Sequence, residues 1–69
     1  MNRITTEHPY YQDFVRIYNA SVEHDNKLGK CDTKHAHELA EAYAELHIPE
    51  HHQRLFLNDW EEFYYHMFD

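Results

Sequence analysis

The sequence predicts an all-α fold, a small three-helix bundle with antiparallel neighbours. Three observations carry this expectation. Only one glycine and two prolines punctuate 69 residues. No stretch alternates apolar and polar residues as a half-buried strand does. Three segments instead repeat their apolar residues at helical spacing, and the connections between them are short. Residues 1–69 read as one domain. At this length only about 60% of the unfolded chain's surface can be buried, so the core must be used fully.

The first helix is expected over about residues 7–24. Thr5 or Thr6 suits the cap, Glu7 the positive end, and Pro9 is tolerated in a first turn. Winding at 3.6 residues per turn lines up Tyr10, Phe14, Ile17 and Ser21, with Tyr11, Val15, Tyr18 and Val22 beside them. Gln12, Arg16, Asn19 and Glu23 fall opposite. Asp25 would enter the apolar face, which sets the end near His24; Leu28-Gly29 marks a stop one turn later.

The second helix is expected over 33–47, capped by Asp32. Ala36, Leu39, Ala40, Tyr43 and Leu46 form its apolar stripe, and Glu38, Glu41 and Glu45 its outer row. Ala36, Ala40, Ala42 and Ala44 keep the side chains small, so neighbouring backbones can come close. Ile48-Pro49 ends it, because proline disfavours helical geometry in the preceding residue.

The third helix is expected over 50–68. Asn58-Asp59 is a weak point, and Asn58 with Glu61 resembles a capping box. Phase argues for continuity: a single helix places Phe56, Leu57, Trp60, Phe63, Tyr64, Met67 and Phe68 on one arc. Leu55 and Tyr65 fall outside that arc, which predicts a second apolar face.

Composition narrows the function classes. Thirteen acidic residues against six basic ones give a formal net charge of −7. The six cations are scattered along the chain, whereas backbone recognition of nucleic acid needs them clustered, so direct DNA or RNA binding is not expected. An acidic chain is drawn to basic surfaces on other proteins. Aromatic residues make up 16% of the sequence, too many for a disordered chain. No apolar run approaches the ~20 residues of a membrane helix. The N-terminus lacks a signal peptide's apolar core. Cys31 is the lone cysteine, which suggests a reducing compartment; the expectation is a cytoplasmic protein, host-cytoplasmic if viral.

Five sets of residues are candidates for chemistry or recognition. Cys31, His35 and His37 are proper ligand types for zinc, and Cys-x3-His resembles half of a known spacing. Residues two apart on a helix do not face each other, which weighs against His35 with His37. Cys31 with His35 as base is the one nucleophile pairing the sequence offers, its thiol near a helix start. No glycine-rich loop or evident oxyanion hole accompanies it, so no enzymatic activity and no cofactor are expected. The eight histidines as a set would change charge near pH ~6.5.

The acidic row Glu38, Glu41 and Glu45 spans about 10 Å of helix. Asp59, Glu61 and Glu62 are expected to extend it, although such a row is also what any solvated helix face looks like. Lastly, Tyr10, Tyr11, Leu55 and Tyr65 are hard to place in a core and suit a partly wet interface.

These readings converge on a small acidic protein-binding module, an inhibitor, adaptor or regulator of a larger protein with a basic surface. Its sharpest form is competition with nucleic acid for a basic groove, as small phage-encoded inhibitors of host defence or transcription do, by analogy of size and charge. A metal-binding module on Cys31, His35 and His37 and a homodimeric structural protein are the alternatives.

Overall fold

A computed structural model describes residues 5–68, the side chain of Phe68 excepted. Three α-helices follow one another: α1 (Tyr11–Leu28), α2 (Thr33–His47) and α3 (Glu50–Phe68). No strand occurs among the described residues. The short links make successive helices antiparallel and produce a slab of 35 × 28 × 16 Å.

The helix starts and stops have local causes. α1 begins four residues later than the expected position 7. Residues 5–10 form successive turns, with His8 N donating to Thr5 O at 2.9 Å and Tyr11 N to His8 O at 3.0 Å. His8 precedes proline and is steered away from helical geometry, which delays the helix. Thr5 Oγ1 accepts from Glu7 N within this turn and does not cap α1.

α1 also runs past His24 to Leu28, the later of the two stops. Gly29 adopts φ 83°, a left-handed conformation glycine takes without strain, and its N–H donates to Asp25 O at 2.8 Å. Asp25 was expected to disrupt the apolar face. Its carboxylate instead accepts the Asp32 backbone N–H at 3.2 Å, at the positive end of α2.

Asp32 caps α2, accepting from His35 N at 3.0 Å. Ile48 is extended (φ −112°, ψ 132°), as a residue before proline should be. Gln53 then reaches back to donate to Ile48 O (3.0 Å) and to Ala44 O (3.2 Å), the latter also accepting the Ile48 backbone N–H at 2.9 Å. α3 passes Asn58 and Asp59 without a break.

Packing follows from side-chain size. Ala36, Ala40 and Ala44 present a buried, nearly flat face on α2. α2 accordingly lies closer to α1 and α3 than those two lie to each other. Aromatic rings fill the space between α1 and α3. Phe14 is fully buried, with ring centroids 5.0 Å from Phe56, 5.6 Å from Phe63 and 6.2 Å from Trp60. Ile17, Ser21, Ile48 and Tyr64 complete the interior. Three residues expected on apolar faces are exposed: Val22 at 37%, Leu46 at 79% and Met67 at 48%. Leu46 and Met67 each lie one residue before the end of their helix.

Candidate functional site

The expected acidic surface divides in two. His37 turns from α2 toward α3, and Glu41 follows it one helical turn later on the same flank. Glu38 and Glu45 stand next to Glu41 on the outer side. On α3, Glu61 precedes by one turn Tyr65, whose hydroxyl meets His37. Glu38, Glu41, Glu45 and Glu61 are all exposed. None of the four takes part in an ion pair among the described residues.

Asp59 and Glu62 do not extend this flank as expected. Asp59 is half-buried on the other side of α3, where its Oδ2 accepts from His8 Nε2 at 2.8 Å. Glu62 is half-buried and also engaged in the fold.

The aromatic candidates separate as well. Tyr10 and Tyr11, expected to resist burial as a pair, are both half-buried. Tyr10 packs edge-on against Phe56 at 5.2 Å and Tyr11 edge-on against Phe63 at 5.8 Å. They are the rim of the core. Leu55 and Tyr65 remain exposed, at 58% and 51%. They do not form one patch: ten residues separate them by about 15 Å along α3, with the polar residues Asn58 and Glu62 on the helix surface between.

Cys31, His35 and His37 are not brought together. Among the described residues, no three of His, Cys, Asp and Glu are grouped so as to hold a metal ion. The reason is the helical one: positions 35 and 37 face different neighbours. His35 turns to α1 and stacks on His24, rings 3.6 Å apart and 13° from parallel. Its Nδ1 is buried without a hydrogen-bond partner. His37 turns to α3, where both ring nitrogens are engaged: Nδ1 accepts from Trp60 Nε1 at 3.0 Å, and Nε2 lies 3.2 Å from Tyr65 Oη.

Cys31 is exposed at the rim of an open groove of about 420 Å³ beside Tyr18 and Val22. Its Sγ lies 3.9 Å from Tyr64 Oη, while the ring of His35, the base it would need, is committed to His24.

Two tyrosines carry the clearest electrostatic perturbations. A hydrogen bond to Asp13 holds the Tyr43 phenol above its ordinary value of 10.0, with burial acting in the same direction and Arg16 opposing. Burial pushes the Tyr64 phenol up, and its bond to Thr33 opposes the rise.

Sequence reasoning missed the bonds Tyr43–Asp13, His8–Asp59, Gln53 to the end of α2, and Trp60–His37. For the last a signal existed. Trp60 was placed in the core, and a buried indole N–H requires an acceptor. A polar residue on the alanine-lined helix was the place to look.

No protein-family model matches the chain, and no curated protein or solved structure does either. No helix among the described residues is long and apolar enough to cross a membrane.

Proposed function

We propose that the chain is a small acidic binding module that occupies a basic surface on a larger protein and has no chemistry of its own. The observation that carries this reading is the flank bearing Glu38, Glu41, Glu45 and Glu61, four exposed carboxylates with no ion-pair partner among the described residues. Carboxylates kept unpaired on a chain of net charge −7 are available to lysines and arginines elsewhere. The interior is already filled by rings and alanines, and the role left to the surface is recognition. In its sharpest form the module competes with nucleic acid for a basic groove, in the manner of small phage-encoded inhibitors of host defence or transcription. That likeness is one of size and charge. The working compartment under this reading is the cytoplasm, where a free Cys31 stays reduced.

The test compares the native chain with the triple variant Glu38→Lys, Glu41→Lys, Glu45→Lys as bait in the source cell. A partner held by the native chain at low salt should be lost by the variant. It should also be lost by the native chain at about 1 M salt, where the Debye length falls to about 3 Å. Circular dichroism should show the variant fully helical. Equal capture by a folded triple variant removes these residues from the site.

A further inference from the structure

Trp60 is 1% exposed, and its indole nitrogen donates to His37 Nδ1 at 3.0 Å. An indole N–H can only donate, so Nδ1 of His37 bears no proton in this arrangement. The proton of the neutral ring is then on Nε2, which faces Tyr65 Oη at 3.2 Å. The bonding thus fixes one tautomer of one histidine. A second proton has a single place to go, Nδ1, and that position is already filled by the Trp60 N–H. Two donors cannot share it.

The surroundings supply an alternative position for a charged ring. On α3, Tyr64 lies 5.2 Å and Tyr65 5.8 Å from the imidazole centroid, and Trp60 closes the inner side at 6.4 Å. Glu61 sits next to Trp60 on the outer side. On α2, Glu41 is one turn ahead of His37, with Lys34 and Glu38 at the neighbouring positions. α1 reaches this corner through Tyr18, which packs on Tyr64 at 6.2 Å. The solvent side is therefore predominantly acidic.

We propose that His37 is a proton-operated latch between α2 and the last turns of α3. Neutral, it bridges Trp60 and Tyr65 and pins α3 against α2. Protonated, it gives up the Trp60 bond, turns outward toward Glu41 and Glu61, and releases Tyr65. The sign follows from the bonding: the latch is closed where His37 is neutral and opens as the pH falls. Its opening would also discharge the acidic flank and loosen a basic partner. That consequence rests on the function proposed above; the latch itself does not.

Trp60 is the sole tryptophan in the chain, so its indole reports on the latch without labelling. The experiment follows the Trp60 indole 1H–15N signal and the His37 ring 15N signals of the whole chain from about pH 8 to about pH 5, a range spanning ordinary imidazole titration. The expected result is an Nε2–H tautomer for His37 at the upper end. The Trp60 signal should then shift in step with His37 protonation, and this step should be absent in His37→Asn, which keeps an acceptor and does not titrate. A Trp60 signal that stays flat while His37 protonates overturns the proposal, as does the same step in His37→Asn. Should that variant not fold, the native chain alone decides: an Nδ1–H tautomer at the upper end removes the latch.

Discussion

His8 donates from Nε2 to the Asp59 carboxylate across 2.8 Å, joining residues 51 positions apart. Its other nitrogen, Nδ1, accepts the backbone N–H of Tyr10 at 3.1 Å. One imidazole thus closes the turn before α1 and ties that turn to the middle of α3. It also faces Phe14 at 5.3 Å, on the side of the core. The contact accounts for two departures from sequence reasoning at once: α1 starts late because residues 5–10 are held as turns, and Asp59 is absent from the acidic flank because it is bound.

Replacing His8 by alanine should therefore destabilise the fold by about 1.5–3 kcal/mol, the range for a hydrogen bond to a charged group. Asp59→Asn should cost a similar or smaller amount. The double variant should show a coupling of about 1 kcal/mol in urea denaturation. Additive losses would mean that the two side chains contribute separately and the strap is not a unit.

The flat face of α2 gives a second expectation. Ala40 is fully buried where α2 meets its neighbours, whereas Ala42, two residues on, is exposed. Ala40→Leu inserts three carbons where the backbones approach and should cost about 1–3 kcal/mol through overpacking. Ala42→Leu should change stability by less than about 0.5 kcal/mol. Denaturation midpoints of the two variants measure the difference directly. Equal midpoints would show that α2 does not rely on small side chains to pack.

How much of this was legible beforehand depended on what fixes each feature. The helices and most of the core follow from period and size, which a sequence displays: Phe14, Ile17, Ser21, Ala36, Ala40, Phe56, Trp60 and Phe63 are all buried. The ends of α1 were less legible than those of α2 and α3, because His8 and Asp25 beside them are engaged by partners outside the helix. Asp25 looks like an intruder until the Asp32 N–H arrives to meet it. The candidate site suffered most. Whether Asp59 belongs to a surface depends on His8, and whether His37 is a metal ligand depends on Trp60. Neither partner lies within 20 positions in the chain, so local spacing does not point to it; for His37 the one signal was the buried Trp60 indole, which needs an acceptor.

The geometry at Cys31, His35 and His37 predicts the outcome of metal addition. His35 is stacked on His24 and His37 is bonded at both nitrogens, so ligation requires two sets of contacts to break first. Zinc in excess should leave the melting temperature of the native chain unchanged, and a chelator should have no effect. A site occupied at 100 times its dissociation constant would add about 2.7 kcal/mol of stability, which a thermal melt detects. A rise of that size, lost in Cys31→Ser, would show that the three residues rearrange around a metal.

The alkaline limb of stability should be governed by Tyr43. Its hydroxyl donates to Asp13, clamping α2 to α1, and this bond together with burial raises the phenol above its ordinary value of 10.0. A group whose pKa is raised on folding stabilises the folded state in its protonated form. The stabilisation is fully present below the unfolded value, about 10, and is lost as pH rises through the folded value. Ionised Tyr43 would place a phenolate against the Asp13 carboxylate, with only Arg16 to offset the repulsion. Tyr64, whose phenol is raised by burial, acts in the same direction. Stability should thus show little contribution from these two groups to pH dependence between about pH 7 and 9, then fall above about 10. Tyr43→Phe should lose about 1 kcal/mol at neutral pH, the net value of one hydrogen bond. It should also show a shallower alkaline fall than the native chain. Urea midpoints measured at successive pH values separate the two effects, and an alkaline slope unchanged in Tyr43→Phe would assign the loss to Tyr64 or to another group.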